Sequence, residues 1–431
     1  LSDLDISGRI YKMKTQKQNK SLQQPRIALF HCGFIYSGGG ERIVLEEARH
    51  LRKRGYKVEV YAPTLDPKRC FPQMVREIGV KTFLSTKARY IPGGYAFSMI
   101  ASSLLAPILA KNFKDVDVFI GANQPGAWIA FCMARVLRKP YVIYLNQPNR
   151  VIYPRPVDRE YGWTTTVKDY QALFTLFNKV FKSPLSWLDK LSITQADAVF
   201  VNGSYIAGVI ENIYATKTTD APAASYAYKA KDLRFKGNAK GTLTIGSSKI
   251  TKPYALITNR HDPQKRFDFV LVAMARVIKS FPQAQLVIPG PFTDHTKKLK
   301  SLTKDLGIEG NVLFLGQVSE SDLQKLYKHA YVYCYPSPEE DFGLGPIEAG
   351  GWGVPSVAWK HGGPTVTVED GVTGFLAKPY DVKDYAEHML TLFKNTTLRA
   401  KMGKASWKRT KEVFSWENHV DTIETFLKKL L

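Results

Sequence analysis

A mainly parallel α/β architecture built twice over is what this sequence predicts, and three observations predict it. The chain has 431 residues, more than one hydrophobic core ordinarily serves. Short apolar runs of strand length alternate with segments of helical periodicity, the pattern of a doubly wound sheet. The alternation lapses once, from about Thr216 to Lys252, and then restarts. Two doubly wound domains joined by a linker follow from this.

Residues 1–24 are polar and lysine-rich and are expected as a flexible basic tail. Arg26–Cys32 (RIALFHC) reads as a strand running into a glycine loop, Ser37–Glu41 (SGGGE). Val44, Ala48 and Leu51 then fall on one helical face, and Gly55 ends that helix. Tyr56–Pro63 (YKVEVYAP) alternates as a strand, with Val58 and Val60 on one side. Strand, loop, helix and strand make one right-handed βαβ unit. Further strands are expected at Val116–Ala122, Tyr141–Asn146 and Asp197–Gly203, which completes a first domain over residues 25–220. Residues 221–252 are polar and poor in large apolar side chains, and are expected as the linker. The second domain, residues 253–410, carries strands at Tyr254–Asn259, Ala284–Gly290, Asn311–Gly316 and Tyr331–Pro336, the last taken as the final strand. Helical patterns lie at Phe267–Phe281 and Asp322–Ala330. Residues 411–431 close the chain as an amphipathic helix, expected to pack back on the first domain.

Composition narrows the function. Hydrophobic residues make up 44% and aromatics 12%, which is globular rather than disordered. A net charge of +23 favours an anionic partner: nucleic acid, a phosphorylated small molecule or anionic lipid. Cys32, Cys70, Cys132 and Cys334 have no CxxC spacing and no histidine cluster beside them. A disulfide framework or structural zinc is therefore not expected, and a reduced, cytoplasmic setting fits. The N-terminal stretch shows no apolar signal core. Tyr95–Ala110 (YAFSMIASSLLAPILA) is apolar and contains Pro107, but it falls short of the ~20 residues a membrane span needs. It reads as a buried or amphipathic helix, with insertion at a membrane interface as the alternative.

Three features carry chemistry. In facing doubly wound domains, ligands bind beyond the carboxyl ends of the strands. Gly38, Gly39 and Gly40 open a helix, where bare backbone and unpaired amides favour an anion; the spacing is not GxGxxG, and a plain tight turn is the alternative. Arg260 and Lys265 (TNRHDPQKRFDF) share a turn after a strand and can be aimed at one phosphate, the first as a planar fork and the second as a point charge. Solvated surface charge is the alternative there. The third is Ser337–Pro355 (SPEEDFGLGPIEAGGWGVP), where a strand feeds a helix with Pro346 in its first turn. The amides of Phe342, Gly343 and Leu344 stand at its positive end. Glu340 lies before it and Glu348 in its first turn, where a dipole role competes with ligand binding. A carboxylate takes two hydrogen bonds side by side and so suits a sugar diol. A nucleotide sugar satisfies all three features.

Glu340, seven residues and Glu348, together with EEDFGLGPIEAGGWGVPSVAWKHGGPTVTVEDGVTGFLAKP, GGGERIVLEEARHL, the Arg260/Lys265 pair and FSWENH, resemble glycosyltransferase family 4 from Arg26 to Leu431. That family adopts the GT-B fold: two facing Rossmann-like doubly wound domains with an interdomain cleft. SGGGERIVLEEARHLRKRGYKVEVYAP, RCFP (Arg69–Pro72) and SWLDKLSITQADAVFVNGSYIAGVI look most like a mannosyltransferase subgroup that elongates lipid-linked oligosaccharides on the cytosolic side of membranes. The resemblance implies transfer with retention, without a metal or a resident cofactor. The co-substrate would be a nucleotide-diphosphate sugar, GDP-mannose favoured and UDP-sugars close behind. It implies that Glu348 binds the ribose and Glu340 the transferred sugar. The amides of Phe342, Gly343 and Leu344 would hold sugar and phosphate oxygens, Arg260 and Lys265 would neutralise the departing diphosphate, and Gly38–Gly40 would approach donor or acceptor. The subgroup usually has histidine where Asn146 stands (YLNQPNR), on the donor sugar; asparagine keeps the hydrogen bonds but cannot carry charge. Ala221–Ser225 (APAAS) also lacks the family's usual Asn-Gly turn. The implied partners are a nucleotide sugar, a glycan or lipid-linked acceptor and a peripheral membrane contact, which the subgroup resemblance places at the cytoplasmic face; no nucleic acid is expected.

No Ser/His/Asp-type nucleophile and base stand out, and a front-side displacement needs none, because the leaving phosphate takes the acceptor's proton while cations and amides stabilise its charge. Asp115–Asp117 (DVD) is the weak trace of a metal-dependent transferase of the other main fold. A glycosidase would set two carboxylates across a bond. A nucleotide-sugar epimerase or phosphorylase on the same fold, or a basic protein binding nucleic acid or membrane without catalysis, are the alternative readings.

Overall fold

The computed structural model describes residues 24–83, 94–161, 171–233, 242–251 and 253–431; the tail expected at 1–24 lies outside them except for its last residue. The described residues form two compact units, one drawn from those up to 144, 191–199 and 423–431, the other from those in 145–190 and 200–422.

The first sheet is built from β1 (Arg26–His31), β2 (Lys57–Ala62), β3 (Lys81–Thr82), β4 (Val118–Ala122), β5 (Tyr141–Leu145), β6 (Ala198–Val201) and β7 (Thr219–Asp220), in the order β3-β2-β1-β4-β5-β6-β7. The β6–β7 pairing, Phe200 and Val201 against Thr219 and Asp220, lies in the second unit. Within the first, β1 is central. Ile27 stands opposite Val58 on one side and Val118 on the other, and both pairings are parallel. Such a strand is covered on both faces, which is why it reads as a continuous apolar run. Phe30, Tyr61, Phe113 and Phe119 stack and edge together over one face. The Gly39–Lys53 helix presents Val44, Ala48 and Leu51 to the core, fully buried, and Gly55 follows it with φ +93°.

The second unit carries β10 (Tyr254–Leu256), β11 (Gln285–Pro289), β12 (Val312–Gly316), β13 (Val332–Tyr335), β14 (Ser356–Trp359) and β15 (Gly374–Ala377), all parallel, in the order β12-β11-β10-β13-β14-β15. Side chains of β13 alternate between its two faces. Val332 and Cys334 join Ala255, Leu286, Val357 and Trp359 in one core. Tyr333 and Tyr335 join Leu256, Val287 and Ala358 in the other. The tyrosine face is the one that leads to the site.

Two expectations are corrected here. Tyr331–Pro336 does not end the sheet, because β14 and β15 follow it, both short and set among glycines that masked their strand character. The polar stretch 221–252 also holds an antiparallel hairpin, β8 (Thr242–Ile245) with β9 (Ser248–Thr251), turning at Gly246 with φ +56°. Only Ile245 and Ile250 are buried in it, so its apolar signal is small. The Trp416–Leu430 helix closes the chain. Its last residues from Ile423 belong to the first unit, where Arg54 Nη1 bonds Glu424 Oε2 at 2.7 Å.

Candidate active site

The second sheet grows one way from β10 through β11 and the other way from β13 through β14. The carboxyl ends of β10 and β13 therefore flank a topological switch point, where sheets of this kind bind ligands. The loop leaving β10 carries Arg260 and Lys265. The loop leaving β13 carries Glu339 to Gly343. The two loops meet: Lys265 Nζ donates to Glu340 Oε2 at 2.7 Å. Lys265 is fixed by a short 3-10 turn, Pro263–Lys265, whose proline presets the backbone. Arg260 is one-third exposed and faces Asp262 Oδ2 at 3.5 Å.

Glu340 is held in a cationic setting. Burial pushes its carboxyl up, but Lys265, Arg155 and a hydrogen bond from Tyr335 outweigh it and bring the pKa to about 2. The group is thus a permanent anion at neutral pH. Beside it, Gly343 takes φ +92°, a conformation open to glycine and costly for other residues. It is the cap residue of the Leu344–Gly351 helix, and no side chain caps that end. Among the described residues, the amides of Phe342, Gly343 and Leu344 donate to no protein acceptor. Three consecutive unspent N–H groups at a helix start form an anion cradle. Close approach keeps it open: a Cβ on Gly363 would lie 2.2 Å from Phe342 Cα. One turn into the helix, Glu348 Oε2 accepts from the Tyr327 hydroxyl at 2.8 Å. Tyr327, on the Glu320–His329 helix, and Tyr333 of β13 in turn share Thr258 Oγ1 at 3.0 and 2.8 Å, so the tyrosine that holds Glu348 is itself tied to the sheet.

Asn146 lies at the end of β5 beside Asn202 at the end of β6, with Asn202 Nδ2 to Asn146 Oδ1 at 3.4 Å. Gly38, Gly39 and Gly40 belong to the first unit. Gly38 is the extended cap of the Gly39–Lys53 helix, again without a side-chain cap. The loop is tied down by Ser37, whose Oγ accepts from Phe71 N at 3.0 Å and donates to Arg69 O at 3.2 Å, in the RCFP stretch.

Residues 37–219 match the family model "Glycosyltransferase Family 4", and residues 245–409 match "Glycosyl transferases group 1". The chain is a family 4 glycosyltransferase. Over 96% of its length it is 24% identical to the human protein named alpha-1,3/1,6-mannosyltransferase ALG2, covering 98% of that protein. Over 95% it is 25% identical to the protein of that name from Dictyostelium discoideum, covering 100%. Its fold is GT-B. Anabaena Alr3699/HepE in complex with UDP superposes with a TM-score of 0.70 at 18% identity, over 94% of this chain and 100% of that one. Sucrose-phosphate synthase from Thermosynechococcus elongatus gives 0.67 at 19% identity, over 94% and 99%.

The structure also brings into this loop cluster residues that sequence reasoning passed over. Arg150 donates through Nη2 to Asp341 Oδ1, both side chains nearly buried. Arg155 donates to Glu339 O at 3.1 Å and pairs with Asp158 at 2.9 Å. Burial pushes the Asp341 carboxyl up to about 6, although Arg150 and Arg155 pull it down. The signal was present: three consecutive carboxylates, Glu339 to Asp341, in a closely packed loop require counter-ions, and Lys265 alone cannot supply them. A cavity of about 440 Å³ adjoins this cluster, with Arg155, Arg159, Lys182, Tyr205, Glu339 and His361 in its wall. Among the described residues no group of three or more His, Cys, Asp or Glu side chains is placed to hold a metal.

Proposed function

We propose that the protein is a retaining, metal-independent mannosyltransferase that moves mannose from a nucleotide-diphosphate sugar, GDP-mannose, to a glycan on a lipid-linked acceptor. The observation that carries the reading is the unspent amide cradle of Phe342, Gly343 and Leu344 beside the Lys265–Glu340 pair. An anionic donor with sugar hydroxyls matches both halves: phosphate or hydroxyl oxygens on the amides, hydroxyl hydrogens on the carboxylate. In this reading the acceptor hydroxyl attacks the anomeric carbon on the face from which the diphosphate leaves. The glycosidic electron pair goes to the leaving phosphate oxygen, which also takes the acceptor's proton. Arg260, Lys265 and the amides stabilise the charge that grows there, Glu348 holds the ribose, and Asn146 hydrogen-bonds the sugar without charge. Gly38–Gly40 give donor or acceptor bare backbone to approach. Mannose is favoured because relatives matching nearly the whole chain carry mannosyltransferase names, and a UDP complex among similar folds supports a nucleotide donor.

The acceptor's lipid is supported by the Gly94–Leu109 helix, which is inside out. Its buried residues are small: Ser98, Ser102 and Ala106. Its large apolar side chains face outward, with Phe97 68% and Leu104 74% exposed and Ile100 and Ile108 beside them. No helix among the described residues is long and apolar enough to cross a membrane. Small residues against protein and large ones outward suit a helix lying in the interface of the cytoplasmic face. The exposed Lys111 and Lys114 at its end would meet anionic headgroups. Arg159 and Lys182, in the wall of the cavity and without ion pairs among the described residues, offer the acceptor's anionic group a place.

The experiment is a donor screen: GDP- and UDP-sugars are incubated with the protein and a lipid-linked glycan, and both nucleotide and glycosylated product are measured. Transfer from GDP-mannose with an axial, retained linkage, abolished by Glu340→Gln and insensitive to chelator, is expected. Product made only from another sugar, or an epimerised nucleotide sugar with no transfer, defeats the reading.

A further inference from the structure

We infer that Arg150 and Arg155 are positioning residues for the Glu340 carboxylate, acting on it through Asp341 and Glu339. The inference rests on the transferase reading above, in which Glu340 faces the transferred sugar.

The backbone that carries Glu340 is not at rest by itself. Glu339 adopts φ +51°, in the left-handed region that non-glycine residues avoid. Something must hold it there, and the holders come from one segment. Arg155 Nη1 donates to the Glu339 carbonyl at 3.1 Å, and Val157 N donates to the Glu339 carboxylate at 3.2 Å. Arg150 Nη2 grips Asp341 Oδ1, and Arg155 Nη1 stands 3.9 Å from Asp341 Oδ2. The residues on both sides of Glu340 are therefore clamped by residues 150–157. From the opposite side, Gly363 N donates to the Glu340 carbonyl at 2.6 Å, and a Cβ on Gly362 would meet that carbonyl at 2.8 Å. Only the side-chain torsions of Glu340 are left, and its carboxylate is taken by Lys265 and Tyr335.

The same segment also supports the other half of that pair. The Pro156–Tyr161 helix packs on the Pro263–Lys265 turn. One stretch of chain thus sets the position of the acid and of the cation it meets. A buried ion pair such as Arg150–Asp341 is a poor source of stability, since desolving both charges offsets their attraction, whereas its geometry is demanding. What it supplies here is placement. A carboxylate displaced by about 1 Å is expected to cost roughly 10²-fold in rate without loss of ligand affinity.

The test is a double-mutant cycle on the full chain with the donor and acceptor the screen identifies. Arg150→Met, Glu340→Gln and the double variant are compared with wild type for kcat, donor KM, and the affinity for nucleoside diphosphate alone. A positioning role gives Arg150→Met a kcat lowered at least about tenfold, nucleoside diphosphate affinity unchanged, and no further loss when it is added to Glu340→Gln. Arg150→Lys should restore part of the rate. Multiplicative losses in the double variant, or a wild-type kcat for Arg150→Met, overturn the inference. If Arg150→Met does not fold, Asp341→Asn enters the same cycle with the same criteria. Should Glu340→Gln itself transfer at the wild-type rate, the transferase reading fails together with the inference, a result distinct from additivity.

Discussion

Lys265 and Glu340 are joined Nζ to Oε2 at 2.7 Å, across the loops that leave two neighbouring strands of the second sheet. The contact decides the ionisation of the acid. Burial alone would raise the Glu340 pKa, and Lys265 supplies the largest opposing pull. With a folded pKa near 2, below the ordinary 4.5, the wild-type group stays charged at working pH. Its contribution to stability is present above the unfolded value and is lost only as pH falls toward 2. Lys265→Met removes the counter-charge and lets the pKa climb. The expected outcome is a kcat lower by 10²–10³ or more, on the order of a lost preorganised donor, together with a new acid limb in the pH–rate profile. A variant with reduced kcat and an unchanged profile would show that Lys265 does not set the charge on Glu340.

Asp341 titrates from the other direction. Burial raises it to about 6; Arg150 and Arg155 pull it down, and Glu340 and Asp158 push it up again. Below that pH the Arg150 clamp loses its charged acceptor, so wild-type kcat should fall as pH drops through about 6, and Asp341→Asn should be flat there at a lower plateau. The stability sign is opposite. From the ordinary 3.8 up to about 6 the folded chain binds this proton more tightly than the unfolded chain, so the group adds stability as pH falls through that window. Thermal unfolding of wild type against Asp341→Asn should show the wild type gaining relative stability at pH 5 over pH 7 while its activity declines. Parallel trends in the two quantities would contradict the assignment.

Most of the architecture was legible because both sheets are parallel and covered on both faces. Each central strand is then a compact apolar run, as at Arg26–His31 and Val332–Tyr335. The missed strands show where that signal thins. Ser356–Trp359 and Gly374–Ala377 are four residues each, and the hairpin at Thr242–Thr251 buries only two side chains. In the site, Glu340, Glu348, Lys265 and the glycine-flanked amides are local to recognisable loops and could be read directly. The Arg150–Asp341 pair could not, since 191 positions separate its members. Periodicity carries no information over such a distance, and only the need of a buried acid for a counter-ion pointed to it.

Two glycines give a contrast that probes the cradle. Gly363 has no room: a Cβ would lie 2.2 to 2.5 Å from backbone atoms of Phe342, which cannot move without shifting the amides. Gly363→Ala is expected to cost about 1–3 kcal/mol in stability and to weaken nucleoside diphosphate binding at least about tenfold. Gly208, in the Ser204–Tyr214 helix, has nothing within 4 Å of its Cβ position. Gly208→Ala should gain about 0.5–1 kcal/mol from helix propensity and leave binding untouched. Calorimetric titration with GDP and thermal unfolding of the two variants check this; a Gly363→Ala protein that binds normally would place the phosphates elsewhere.

The inside-out helix makes a prediction that needs no substrate. Phe97, Ile100, Leu104 and Ile108 recur on one exposed side of Gly94–Leu109, while Ser98, Ser102 and Ala106 face the protein. Trp128 Nε1 holds the helix from that side through Ser103 O at 3.2 Å. Each large apolar side chain moved from water into lipid is worth about 1.5–3 kcal/mol, so the stripe can supply binding that Lys111 and Lys114 reinforce on anionic membranes. The protein should float with vesicles containing phosphatidylserine and do so less with neutral ones. Leu104→Glu combined with Ile108→Glu should reduce flotation by roughly 10²-fold or more, without change in unfolding temperature because both positions are already in water. Unaltered flotation of that variant would mean that another surface meets the bilayer, and loss of folding would mean that the stripe is covered by protein.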